Sequence, residues 1–161
     1  FRRVLFRSER VVEVPAPAPT IAQQAALAHN VYTVEVRHPI EVGADDRSHL
    51  VYWLSRRLGH QLKLPDLEAG GYQLMGGRLL PSRAGGVASQ FMYENTSGTR
   101  VTLYVRPVDN EPAFSSFRYV TEDKIGIFYW VDNKLGYAVV GPMDRQQLWK
   151  IADSVYKQLN N

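Results

Sequence analysis

The sequence predicts an α+β fold, a mostly antiparallel sheet of about five to seven strands with helices packed on one face. From Tyr72 onward the chain consists of short β-rich runs separated by turn residues, and such short connections require antiparallel neighbours. Helical stripes of apolar residues lie on either side of this region, one before Gly59 and one after Asp144. With 161 residues, 45% of them hydrophobic, the chain has enough material for one core.

The first elements are a short helix and a strand. Thr20 is a suitable N-cap for a helix over Ile21–His29, which is rich in Ala and Gln. Val31–Val36 is rich in β-branched residues and predicts the first strand; Pro39 either ends this strand or marks it as an edge strand.

The second helix has the strongest pattern in the chain. Asp45 is the predicted N-cap, and Leu50, Leu54 and Leu58 recur every four residues along one face. Gly59 is typical of a helix C-terminus, so the helix should end there.

The remainder is predicted to be strands followed by one helix. The predicted strands are Tyr72–Met75, Arg78–Leu80, Ser89–Tyr93, Arg100–Arg106, Phe117–Val120, Ile125–Val131 and Tyr137–Val140. Apolar and polar residues alternate along Arg100–Arg106, which predicts one buried and one solvated face. Asp144 with Gln147 predicts a capping box for a final helix with a buried stripe through Leu148 and Val155.

The N-terminal residues are expected to contain a non-native segment. Phe1–Ser8 reads as the in-frame translation of a common sequencing adapter, so we expect the native N-terminus to lie elsewhere. Removing its three arginines takes the formal charge from +3 to 0, which removes the apparent argument for nucleic-acid binding. We therefore divide the chain into the adapter-derived segment 1–8, a Pro/Ala linker with a short helix over 9–30, and a single α+β sensor-type domain over 31–161.

The sequence contains no recognisable catalytic, cofactor or metal motif. It has no cysteine, no P-loop and no dinucleotide-binding glycine pattern. Its four histidines lie within the first sixty residues without ligand spacing. His49 has two interpretations, a pH sensor or a simply solvated side chain. We therefore predict no enzymatic activity, no catalytic residues, no cofactor, no metal and no nucleic-acid partner.

Aromatic residues concentrate on the predicted strands. Their alternation leaves two interpretations: one set builds the core and the other decorates the sheet, or the second set forms a binding surface on an open sheet face. The candidate interaction surface consists of Tyr93, Tyr104, Tyr129 and Tyr137.

An ordered set of short motifs resembles the extracytoplasmic C-terminal domain of proteobacterial transmembrane anti-sigma factors, also described as transmembrane transcriptional regulators. These motifs are Val36–Val42, Trp53–Gly59, Gly71–Pro81, Gln90–Glu94, Arg100–Val105, Phe128–Asp132 and Gly136–Ala138. The resemblance extends from about Val34 to Leu159 and implies a signal-input domain that controls sigma-factor release and hence transcription.

The resemblance also implies partners and a location. The domain would lie in the periplasm, attached to the bacterial inner membrane by a single upstream helix, and would reach the sigma factor only through an N-terminal cytoplasmic segment. Neither segment occurs in this sequence, so we do not expect the fragment itself to bind a sigma factor. An envelope protein or a protease is the expected direct partner. The alternative is a free-standing periplasmic protein-binding or scaffold module.

Overall fold

The computed structural model describes residues 20–35, 39–82, 86–108 and 114–161. Three α-helices, two short 3-10 helices (Ala44–Asp46 and Glu68–Gly70) and seven strands make up this part of the chain. In chain order they are α1 (Ile21–Tyr32), β1 (Val42–Gly43), α2 (Arg47–Leu58), β2 (Gln73–Pro81), β3 (Val87–Glu94), β4 (Arg100–Pro107), β5 (Phe114–Glu122), β6 (Ile125–Asp132), β7 (Leu135–Gly141) and α3 (Arg145–Leu159). All of Phe1–Ser8 and residues 9–19 of the predicted 9–30 linker lie outside the described residues.

The strands form one sheet in the order β1-β2-β3-β4-β7-β6-β5, and every neighbouring pair is antiparallel. The predicted α+β class and antiparallel sheet are therefore confirmed. β5 to β7 are joined by two-residue turns in which Asp123, Lys124, Asn133 and Lys134 all have positive φ. This conformation matches the type I′ turns that suit the right-handed twist of a hairpin.

The helices cover both faces of the sheet, whereas the sequence predicted one. Leu50 and Leu54 of α2 and Leu148 of α3 share a core with the odd-numbered side chains of β3 and β4, such as Phe91 and Leu103. α1 lies on the opposite face. Its core is completed by residues from five strands, namely Leu80, Ala88, Tyr104, Ile125, Ile127, Val131, Ala138 and Val140.

The prediction that one face of β4 is exposed to solvent is therefore wrong. Thr102, Tyr104 and Arg106 are all buried, because this side of the sheet carries the core built around α1. The polar alternation along the strand therefore marks the α1 side of the sheet and not solvent.

The first helix differs from its prediction at the C-terminal end. The Thr20 cap is confirmed, with Thr20 and Gln23 forming both hydrogen bonds of a capping box. The helix continues to Tyr32, and Thr33 and Val34 form a turn, so the strand predicted over Val31–Val36 is wrong at every described residue, 31–35. Tertiary contact overrides β propensity here, since the Tyr32 ring packs on the guanidinium of Arg78. Val36 lies outside the described residues.

The ends of the other helices follow their capping residues. α2 ends at Gly59, which has a left-handed φ of 72°. Its N-cap is Asp46 and not Asp45, because the Asp46 carboxylate accepts the His49 N–H at 3.2 Å. In α3 the Asp144 carboxylate accepts the Gln147 N–H at 2.8 Å. That part of the predicted cap is confirmed.

The two strands predicted over Tyr72–Met75 and Arg78–Leu80 are one strand, β2, with an irregularity between Leu74 and Gly76. Gly76 has a φ of 149°, and a Cβ atom at this position would collide with the Val42 carbonyl oxygen on β1. The glycine therefore permits the bulge and the close approach of the edge strand.

Candidate functional site

The four tyrosines predicted to form one open surface lie on two different faces of the sheet. Tyr93 and Tyr137 belong to the face covered by α2 and α3, and Tyr104 and Tyr129 to the face covered by α1. Tyr93 and Tyr104 are almost fully buried, and the other two are partly buried. The prediction of one open tyrosine surface is therefore wrong, because helices pack on both faces of the sheet and cover these four residues.

Tyr93 and Tyr137 have structural contacts on the α2/α3 side. The Tyr93 hydroxyl donates to the Pro65 carbonyl oxygen at 2.7 Å, and burial raises the pKa of this phenol. The Tyr137 ring stacks on Trp130 with a centroid distance of 5.3 Å, and burial, together with the nearby Asp132 carboxylate, raises its pKa to about 12. Both groups therefore remain neutral near pH 7.

Tyr104 and Tyr129 instead contact the core formed around α1. The Tyr104 ring is buried there, its hydroxyl lies 3.5 Å from Gln24 Oε1 of the helix, and Tyr129 packs against the same cluster. Tyr104 and Tyr129 thus do belong to a contact surface, but the partner that this surface binds is α1 of the same chain.

The α1 docking interface is our candidate functional site. We define it as the buried face of α1 together with the side chains of β2, β3 and β4 that lie on the same side of the sheet. The helix buries mainly small residues, Ala22, Ala25, Ala26 and Ala28, with Ile21 the one larger aliphatic side chain among its fully buried residues. Such residues remove little apolar area from water, so polar contacts have a larger share in holding the helix.

His29 is the main polar contact of this interface. It is only 4% exposed, and its Nδ1 lies 2.9 Å from Oγ1 of Thr102 in β4, which is fully buried. Burial lowers the pKa of His29 to about 4, since the charged imidazolium is poorly solvated there. The neutral ring is therefore the form that is compatible with docking at pH 7.

Further polar groups lie on the same side of the sheet. The register places Arg78, Gln90 and Tyr104 next to one another across β2, β3 and β4. The Arg78 guanidinium lies 3.6 Å from the centre of the Tyr32 ring. Gln90 is 1% exposed, and both polar atoms of its side chain lack a hydrogen-bond partner among the described residues.

Arg100 of β4 holds the C-terminal end of α1. Its Nη1 donates to the carbonyl oxygens of Thr33 at 2.7 Å and Glu35 at 2.9 Å, while its Nε pairs with Glu94 Oε2 at 2.8 Å. A cation is favourable at this position because carbonyl groups at a helix C-terminus carry partial negative charge.

We expect Arg100→Ala to lower the free energy of unfolding by about 1 to 2 kcal/mol, since it removes hydrogen bonds from a charged, largely covered side chain. Amide hydrogen exchange in α1 should accelerate more than exchange in α3. Lys157→Ala is the matched control: it breaks an exposed pair with Asp153 and should change stability by less than about 0.5 kcal/mol. Equal protection of α1 before and after Arg100→Ala would contradict the role given to this residue.

A groove runs along the outer side of α1. It has a volume of about 810 Å³ and is bounded by side chains of α1, the end of β2 and Tyr104. Leu27 and Val31, one helical turn apart on α1, are 67% and 47% exposed beside it. The groove is therefore an apolar surface adjoining the docked helix.

In the part of the chain that the structure describes, no group of three or more His, Cys, Asp or Glu side chains is placed to hold a metal ion. His49, the candidate pH sensor, is exposed on α2, whereas His29, which no sequence pattern singles out, is buried. None of the described helices has the length and apolar character needed to cross a membrane.

Comparison with known proteins adds no family assignment: no family model matches the chain, and no curated protein sequence matches it significantly.

Proposed function

We propose that this chain is the extracytoplasmic signal-input domain of a membrane-bound anti-sigma factor, and that docking of α1 on the sheet is the step that the signal changes. The observation that carries the proposal is the position of α1. The helix follows directly after the segment with the Pro/Ala tract, and it is held on the sheet by a few polar contacts over an alanine-rich surface.

The positions of the motifs support this proposal. Trp53–Gly59 forms the second half of α2 with its glycine cap, and Gly71–Pro81 contains the bulged strand β2. Arg100–Val105 supplies both Arg100 and Thr102 to the α1 docking interface. Two of the motifs, Gly71–Pro81 and Arg100–Val105, thus supply residues that hold α1 in place, through Arg78, Arg100 and Thr102.

The mechanism is a shift between two states, α1 docked and α1 released. A signal changes this equilibrium only by binding one state more tightly than the other. Release alters the segment upstream of Thr20, through which a membrane anchor would connect to a sigma-binding region. The inner membrane, the periplasm and an envelope protein or protease as partner all belong to this proposal, which assigns no chemical reaction to the chain.

The test is a transcription reporter for the cognate sigma factor, measured with the complete protein encoded at the native locus. Thr102→Val removes the hydroxyl that contacts His29 and should raise uninduced reporter activity by about fivefold or more, by favouring release. Thr96→Val, in the exposed turn between β3 and β4, is the control and should leave the reporter unchanged. Unchanged activity with Thr102→Val at normal protein abundance would argue against the α1 mechanism.

The anti-sigma assignment has its own test, which does not depend on α1. The complete reading frame should encode an apolar span of about 20 residues upstream of Glu9. A reporter enzyme active only in the periplasm, fused after Asn161, should then be active and membrane-associated. A cleavable signal peptide in place of the span, with a freely soluble fusion, would favour the free-standing periplasmic module.

A further inference from the structure

Among the described residues the sheet ends at β5, and no described strand pairs with its outer edge. Within the described ranges, no backbone hydrogen bond connects this edge to another segment. Arg118, Val120, Thr121 and Glu122 are all exposed, and Val120 is an apolar side chain with 37% of its surface accessible. An exposed strand edge is a surface that readily pairs with another strand.

The β5–β6 turn determines which backbone groups point outward. A type I′ turn closes with a hydrogen bond between its first and last residues, here Glu122 and Ile125. The backbone groups of Glu122 therefore face β6, and by alternation so do those of Val120 and Arg118. Those of Thr121 and Tyr119 face away from the sheet.

This alternation restricts how two copies of β5 can pair. Outward residues must meet outward residues, so a two-fold axis has to pass through a residue position. An axis at Arg118 places Arg118 of one copy opposite Arg118 of the other. An axis at Thr121 places Arg118 opposite Lys124, and an axis at Tyr119 places Arg118 opposite Val120. Only an axis at Val120 sets Arg118 of each copy opposite Glu122 of the other.

We infer that the chain forms a two-fold symmetric dimer in which the β5 edges of two copies pair antiparallel about Val120. Tyr119 of each copy exchanges backbone hydrogen bonds with Thr121 of the other, and the two Val120 side chains meet at the centre. Two Arg118–Glu122 pairs flank them on the same face, and opposite charges directly across a sheet stabilise the pairing. A symmetric, self-complementary patch of this kind is the usual form of a dimer interface.

The inference does not depend on the proposed function, and sedimentation velocity on the 161-residue chain at several concentrations tests it. The wild type should show a concentration-dependent dimer that weakens with salt. Arg118→Glu and Glu122→Arg each create two like-charge contacts and should raise the dissociation constant roughly tenfold or more. Lys134→Glu, in the β6–β7 turn, is the control and should behave as wild type.

Restoring the charge pairing provides the decisive measurement. The double variant Arg118→Glu/Glu122→Arg exchanges the charges and should dimerise again, as should an equimolar mixture of the two single variants. Thr121→Pro removes an outward N–H without touching the β6 ladder and should leave a folded monomer by circular dichroism. A monomeric wild type at every concentration overturns the inference, and so does a dimer that the single variants leave intact or that the exchanged charges fail to restore.

Discussion

Replacing Trp130 with alanine should lower the free energy of unfolding by about 3 to 5 kcal/mol, the cost typical of deleting a buried aromatic side chain. Trp130 has no exposed surface and lies at the centre of the core under α3. Its ring stacks on Tyr137 at 5.3 Å and contacts Phe117 at 5.0 Å and Tyr156 at 6.0 Å. Alanine removes all three ring contacts and leaves a cavity that the strands of the sheet cannot readily fill.

Urea unfolding followed by circular dichroism measures this effect without relying on tryptophan fluorescence. Trp149→Ala is the matched control: Trp149 is 46% exposed on α3 and its loss should cost less than about 0.5 kcal/mol. Trp130→Phe retains a ring, so its loss of unfolding free energy should lie between those of Trp149→Ala and Trp130→Ala. It can be compared with Trp149→Ala if Trp130→Ala does not fold. Similar losses for Trp130→Ala and Trp149→Ala would contradict the core position of Trp130.

Acidification should destabilise the protein through His29, by about 3 kcal/mol once the pH is below the folded-state pKa. The pKa of His29 falls from its usual value of 6.5 to about 4 in the folded protein, so between these values the unfolded chain binds the proton more readily. The contribution is fully present above pH 6.5 and is lost as the pH falls towards about 4. Each unit of pKa difference corresponds to about 1.4 kcal/mol.

The comparison of wild type with His29→Gln isolates this contribution from that of the carboxylates. Glutamine carries no titrating charge, so the variant should lose less stability on acidification, and the difference between the two proteins should change by about 3 kcal/mol from pH 7 to below pH 4. His49→Gln removes an exposed histidine on α2 and should run parallel to wild type. Parallel curves for wild type and His29→Gln would show that the imidazole is not held neutral by docking.

Local signals in the sequence were sufficient for most of the secondary structure. Thr20, Gly59 and Asp144 act through hydrogen bonds or a backbone conformation within a few residues, and each defines a helix end in the structure. The same holds for the two-residue turn at Asn133, because its left-handed conformation is a local preference.

The layering of the fold was not predictable in the same way, because it depends on contacts between distant segments. α1 buries alanines, which give only a weak apolar stripe, so the sequence placed this helix in the linker. With α1 assigned elsewhere, Thr102 and Tyr104 were predicted to face solvent. Tyr93 and Tyr137 were grouped with Tyr104 and Tyr129 because the register between strands, which places the two pairs on opposite faces, is not a local signal. His29 was missed for the same reason: nothing near it in the sequence indicates that it meets Thr102.

The sheet also acts as a partition between two cores. The buried clusters on its two faces consist of different side chains, and strands such as β4, β6 and β7 contribute residues to both. A change in the twist or register of those strands is therefore a route by which a disturbance at α2 or α3 reaches α1. Consecutive residues such as Val101 and Thr102, which face opposite cores, are the shortest route for that communication.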